Sequence, residues 1–390
     1  MIPVAEALDH LFSLTPQLGA ETVPLVQAVG RVLAEDVTAQ RTQPPFAASA
    51  MDGYAVHRGE MQIGAQFDVI GEAAAGSGFK GVVGKGQAIR IFTGAPVPEG
   101  DFFVVIQEDI DREGDRITIA RDPGQGDNIR PAGGDFKIGD VIAAPRLVSP
   151  SDIALLASMN ISAVPVIRRP DIALISTGDE LVMPGETPGP DQIIASNTFG
   201  LKALLDQHGA LTRILPIARD DVDSLKTAFA LAEGADLVVT IGGASVGDHD
   251  LVAPVSAELG MERSFYKIAM RPGKPLMAGR MGQAMMVGLP GNPVSAMVCG
   301  AIFLVPVVQA MQGLPATAPT RKTARLATPI GANGPREHYM RARVEAGEIT
   351  VFDNQDSSLL TVLSAANALL VRPVRDPARS AGEEMEFIPL

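Results

Sequence analysis

Two periodicities alternate along the chain. Leu8, Leu11 and Phe12 follow Pro3 at helical spacing, and proline suits a first helical turn, so residues 3–40 read as helical. The paired prolines of RTQPPFAASA (41–50) break that pattern. From 53 to 140 short apolar runs (GYAV, FDVIG, AIRIF, FVVIQ, RITIA) are separated by glycine turns, which predicts a small β domain with a hairpin loop over 111–115. SPSDIALLAS (149–158) reads as a capped helix, with Ser149 or Ser151 before the apolar run. At 171 the rhythm changes. DIALIST, TRILPIA and DLVVTIGG read as strands, with SNTFGLKALLDQHG and DVDSLKTAFALAEG as amphipathic helices between them. That βαβ cadence implies a parallel-rich sheet covered on both faces. LPATAPT (314–320) then reads as a linker, and the remainder returns to short strands with glycine turns, a second small β domain.

Composition narrows the function classes. A length of 390 residues predicts more than one domain, and 46% hydrophobic against 20% charged residues describes a soluble globular protein. A net charge of −13 argues against a nucleic-acid partner, which requires a basic face. The apolar run 294–312 resembles a membrane span, but Pro306, Gln309 and the helix-starting Gly291-Asn292-Pro293 favour a buried helix of a soluble domain. MIPVAEALDHLF carries acidic residues and no apolar signal core, so the cytoplasm is the expected compartment. Cys299 is the sole cysteine and reads as a core residue, and the five histidines are scattered. Any metal is therefore expected to be a hard cation held by oxygen.

Charge is distributed unevenly. From Arg263 to Arg336 there is no Asp or Glu, although the chain as a whole is acidic. Ligands of open parallel sheets sit beyond the carboxyl ends of the strands. That rule selects three loops: Gly178-Asp179-Glu180, the stretch from Gly243 through Ser245, Gly247 and Asp248 to Asp250, and Leu289-Pro290-Gly291-Asn292-Pro293. Each has two readings. The glycines either permit tight turns or let backbone N–H groups approach an anion, and Pro293 either simply starts a helix or places a helix N-terminus at that anion. Ser245 and Ser295 can donate hydroxyls, with Lys267, Arg271 and Lys274 supplying charge. Asp179, Glu180, Asp220, Asp248 and Asp250 suit Mg²⁺, although Asp220 and Asp248 also read as helix caps, for Asp220 or Asp221 equally so.

Seven stretches then point to one family: SAMDGYAV, TGAPVPEG, VIQE, ISTGDEL, IGGASVGDHD, RPGKP and GLPGNPVSA, in this order across nearly the whole chain. With them the chain resembles the molybdopterin molybdenumtransferases, enzymes of the last step of molybdenum-cofactor biosynthesis. The resemblance implies a multidomain α/β plus β fold. Its parts would be an extended helical domain from two segments (1–45 and 141–170), a small β domain (46–140), a molybdopterin-binding α/β/α domain (171–318) and a C-terminal β domain (319–390). It implies insertion of molybdenum from molybdate into adenylylated molybdopterin, with release of AMP and dependence on Mg²⁺ or a similar divalent cation. The active site would be shared between the subunits of a homodimer.

By matching motif, Asp52 and Thr93 would come from the partner subunit. Glu180, Asp220 and Asp250 would hold the metal, and Ser245 would serve the AMP phosphate. Lys267, Arg271, Lys274, Pro290, Pro293 and Ser295 would shape the oxyanion site, with Arg341 and Ser357 closing it. The chain departs from the family pattern at Ala47, Ala48, Ala195, Arg271 and Asp356. A paralogue that stores or delivers cofactor without catalysing insertion is the alternative implied.

Overall fold

The computed structural model describes residues 1–243 and 251–390. At its centre is a six-stranded sheet in the order Leu211–Ile214, Asp171–Ser176, Leu237–Ile241, Ala284–Leu289, Met277–Met281, Met261–Tyr266. The first four strands run parallel, Met277–Met281 runs against them, and Met261–Tyr266 pairs antiparallel with it. The parallel-rich expectation thus holds, with an antiparallel edge added. Its cause is local: only Gly282 and Gln283 join Met281 to Ala284, too short a connection for a crossover. Leu237–Ile241 is buried at every position, as a strand covered on both faces must be.

Helices Asn197–Gln207 and Pro293–Met311 pack on one face of this sheet. Helices Val222–Leu231 and Val252–Glu258 cover the other. Pro293–Met311 is long and apolar enough by composition to cross a bilayer, but 72% of its apolar window is buried by the protein itself. Residues Gly300–Leu304 of this helix are π-helical and end two residues before Pro306, which brings no N–H to the ladder. Gly300 lets it approach the Asn197–Gln207 helix closely, since a Cβ there would meet Leu201 at 2.5 Å.

The helical reading of 3–40 holds only for Val4–Leu14. Thr15 is already extended and Pro16 follows, so the ladder ends there. Ala20–Pro24 is instead a strand paired antiparallel with Ala163–Ile167, and Val32–Leu33 and Val37–Thr38 are short strands. The N-terminal helix does not pack with these strands. Val4, Leu8 and Leu11 join the core cluster of the α/β layer, and the Ile2 N–H donates to the Lys267 carbonyl. In the Pro150–Ser158 helix the cap is Ser149, with a reciprocal bond to Asp152. The Arg146 guanidinium, helped by Ser149, holds the Asp152 carboxyl down at about 2.

The small β region forms a six-stranded sheet in the order Phe102–Ile106, Gly53–His57, Gln87–Ile91, Gln66–Ala73, Arg116–Ile119, Ile110–Glu113. The hairpin turn there is narrower than the sequence implies, because Asp111 and Glu113 pair within the ladder. Towards the C-terminus, strands Glu337–Glu345, Glu348–Val351, Lys322–Leu326, Glu384–Pro389 and Ala368–Arg372 close into a barrel through pairing of the first with the last. The two-residue strand Met270–Arg271 pairs with Glu337 and His338, which ties the acid-free segment to that barrel.

A buried ion cluster braces the barrel. Asp376 accepts from Arg372 at 2.5 Å and from Arg379 at 2.6 Å, and the first pair is almost fully buried. Asp376→Ala strands the Arg372 charge and is expected to cost about 3–5 kcal/mol in urea unfolding. The Arg372→Met/Asp376→Leu double variant is expected to recover most of that loss.

Candidate active site

The parallel strands end on one rim, as anticipated. Beyond them lies a cavity of about 660 Å³ whose lining includes Thr177, Glu180, Asp220, Pro290, Pro293 and Ser358. Gly178 (φ +144°) sets the first turn. A Cβ at that position would lie 2.3 Å from a Glu180 carboxylate oxygen, so the glycine leaves room for the Glu180 head where it sits.

The two readings of Asp220 and Asp221 separate cleanly. Asp221 caps the Val222–Leu231 helix, accepting from the Ser224 N–H at 2.7 Å. Asp220 lines the cavity. Its own N–H donates to the Asp179 carboxylate at 3.3 Å, which directs the Asp179 head at the backbone. Among the described residues no group of three metal-binding side chains forms. Two exposed carboxylates on a shared cavity nonetheless fit Mg²⁺, which commonly takes one or two carboxylates and completes its shell with substrate oxygens and water. Asp248 and Asp250, like Ser245, lie outside the described residues.

Backbone amides supply less of this site than the glycines imply. The N–H groups of Thr177, Gly178 and Gly242 donate to the carbonyls of Ile241, Ala218 and Leu289. At the Pro293 helix start, proline has no N–H and the Val294 N–H donates to the Ser357 carbonyl.

The cations stand beside the cavity rather than in its described lining, where Pro275 alone represents their loop. Arg271 and Lys274 are exposed and pair with no carboxylate among the described residues. Lys267, at φ +70°, sets its ammonium 4.9 Å from the Tyr266 ring centroid. Gly273 allows the loop to press onto Cys299, where a Cβ would meet Sγ at 2.5 Å. Burial pushes that thiol's pKa up, consistent with an inert core residue. His338, opposite Arg271 in the ladder, registers the local potential: burial, then Arg271, Arg372, Arg336 and Arg341, push its imidazole down to about 4.

The barrel contributes one loop, 354–359. Arg341 is buried and donates to the carbonyls of Asp356 and Leu359, so it braces this loop and is absent from the cavity lining. Ser357 accepts from Asn292 Nδ2 at 3.0 Å, joining the barrel to the helix start. The residue that reaches the cavity is Ser358, which sequence reasoning missed. The departure at Asp356 explains itself here, because its carboxylate accepts from both the N–H and the hydroxyl of Ser358 and closes the turn. An Asp two residues before a serine was the available signal. Ala195 lines the cavity, and Ser295 is buried at the helix start.

Asp52 and Thr93 meet in the small β region. The Thr93 N–H and hydroxyl donate to Asp52 Oδ1 at 2.8 and 2.7 Å, which lowers the Asp52 pKa. Neither residue lines the cavity.

Comparison with known proteins agrees with this architecture. The chain matches the MoeA N-terminal region (domain I and II) over 2–160, a probable molybdopterin binding domain over 173–310, and the MoeA C-terminal region (domain IV) over 323–390. It is 33% identical over 415 aligned residues to the molybdopterin molybdenumtransferase of Nostoc sp., covering 100% of this chain and 94% of the relative. The same enzyme of Haemophilus influenzae is 38% identical over 296 residues, covering 75% of this chain and 73% of the relative. The solved molybdopterin biosynthesis MoeA protein of Pyrococcus horikoshii OT3 superposes with a TM-score of 0.85 at 28% identity, covering 100% of both chains. The chain belongs to the molybdopterin molybdenumtransferase family, and it is an enzyme of that family.

Gly178→Ala tests how tightly the rim is held. The added methyl should displace the Glu180 carboxylate and lower molybdenum insertion by about 100-fold while far-UV circular dichroism stays native.

Proposed function

We propose that the chain inserts molybdenum from molybdate into adenylylated molybdopterin, with a divalent cation such as Mg²⁺, and releases AMP. Water cleaves the phosphoanhydride to give AMP and the free pterin phosphate. The two dithiolene sulfurs bind molybdenum as one oxo ligand leaves as water with the two thiol protons. The observation that carries this reading is a cavity with two carboxylates and no cation in its described lining, beside an acid-free cationic loop. Such a cavity accepts a phosphoanhydride when a divalent cation offsets the charge, and the neighbouring cations suit molybdate.

Glu180, Asp220 and Asp250 would hold the metal, and Ser245 the AMP phosphate. When bound, the metal would neutralise charge developing on the phosphate oxygens. Lys267, Arg271, Lys274 and Ser295 would receive molybdate, and Pro290 and Pro293 would shape the wall between. Arg341 and Ser357 act through the loop that presents Ser358. Asp52 and Thr93 would enter from the second subunit of a homodimer, which accords with their absence from the cavity of their own chain.

Two measurements test this. Glu180→Gln should raise the Mg²⁺ concentration for half-maximal, molybdate-dependent AMP release by about tenfold, and an unchanged midpoint would remove Glu180 from the metal site. Mixing Asp52→Ala with Lys274→Ala chains should restore roughly a quarter of wild-type activity, because half the dimers are mixed and each has one intact site. No recovery, with mixed dimers confirmed by native mass spectrometry, would count against a shared site.

A further inference from the structure

Thr177 lies where strand Asp171–Ser176 turns into the cavity, and its side chain is at odds with its surroundings. The residue is only 4% exposed, yet its hydroxyl has no hydrogen-bond partner among the described residues. Buried hydroxyls are almost always paired, so an unpaired one on a residue that lines a ligand cavity calls for a partner that arrives with the ligand. The other unpartnered buried threonine hydroxyls, Thr212 and Thr240, belong to residues that do not line this cavity.

Its neighbours at the turn are glycines, so the hydroxyl is buried without being crowded by a side chain there. A Cβ at Gly242 would lie 2.9 Å from Thr177 Oγ1, and one at Gly243 would lie 3.1 Å away. Any larger residue in either place would crowd the oxygen. The nearby backbone donors are committed as well, since the N–H groups of Thr177, Gly178 and Gly242 bond to protein carbonyls. A substrate acceptor arriving at this turn therefore finds the threonine hydroxyl rather than those amides.

We propose that Thr177 is a substrate-binding residue whose hydroxyl donates to an acceptor oxygen of the substrate at the Gly242–Gly243 turn. The inference deepens the reading of this cavity as the adenylylated molybdopterin site and rests on it. The acceptor belongs either to the nucleotide phosphate or to the pterin moiety, and the two are separable by probe.

Thr177→Val replaces the hydroxyl by a methyl of the same shape, and Thr177→Ser keeps the hydroxyl. With the full-length protein, calorimetric titration of AMP and of molybdopterin should show about a tenfold weaker Kd for Thr177→Val with at least one probe. Thr177→Ser should stay within about threefold of wild type. The affected probe identifies the acceptor. The Tm of ligand-free Thr177→Val should be equal to or above that of wild type, because the methyl leaves no polar atom unpaired. A purely structural threonine gives the opposite signature, a lowered Tm. Wild-type affinity of Thr177→Val for both probes overturns the proposal, as does a lowered Tm with equal loss of binding in Thr177→Ser. If the wild-type chain binds neither probe, the reading of the cavity fails and takes this inference with it.

Discussion

Parallel alignment of three strands is the constraint on which the rest depends. Asp171–Ser176, Leu237–Ile241 and Ala284–Leu289 run side by side in one direction, so their carboxyl ends open on one rim. Burial on both faces fixes their register, because a slip would carry an apolar run out from between two helical layers. Residues from distant parts of the chain, Glu180, Asp220 and Pro290 to Pro293, are thereby brought to one cavity without long side-chain reach. Gly178, Gly242 and Gly243 turn the chain at positive φ, where a side chain would be strained and would collide.

The acid-free segment takes its meaning from that frame. It leaves the sheet edge at Tyr266, pairs with the barrel through Met270 and Arg271, and returns as strand Met277–Met281. Its cations are thus held at a seam between two packed bodies and stay close to the cavity without entering its described lining. The barrel does more than cap this seam. Ser357 bonds to the helix start at Asn292 and Val294, and the same loop presents Ser358 to the cavity. Arg341 therefore influences the site through the loop it braces.

Strong periodic signals were legible in the sequence. The strands from 171 to 241, their helices and the capped helix after Ser149 stand where apolar spacing and capping residues put them. The region 15–40 was not, because two helix-like turns before Pro16 say nothing of the pairing of Ala20–Pro24 with strand 163–167 far along the chain. The antiparallel edge was hidden for a related reason: the βαβ cadence read from 171 to 241 does not extend over 261–289, where a two-residue connection joins two strands. At the site, Glu180 and Asp220 followed from strand-end logic, whereas the separation of Asp220 from its capping neighbour Asp221 needed coordinates. Arg341 shows the limit of motif reading, since a charged residue beside an anion-site motif turned out to be buried in support of a loop. The unpaired hydroxyl of Thr177 had no sequence signal, because an unpaired atom is visible only once its neighbours are placed.

The central claim is that substrate phosphates and a divalent cation meet at the carboxyl ends of the three parallel strands. A crystal structure with adenylylated molybdopterin and Mg²⁺ tests it most directly. The account predicts phosphoanhydride density beyond Ser176, Ile241 and Leu289, with Glu180 and Asp220 on one cation. Density confined to the neighbouring groove lined by Met183, Phe199 and Ile214, with the strand-end cavity left open, would contradict it.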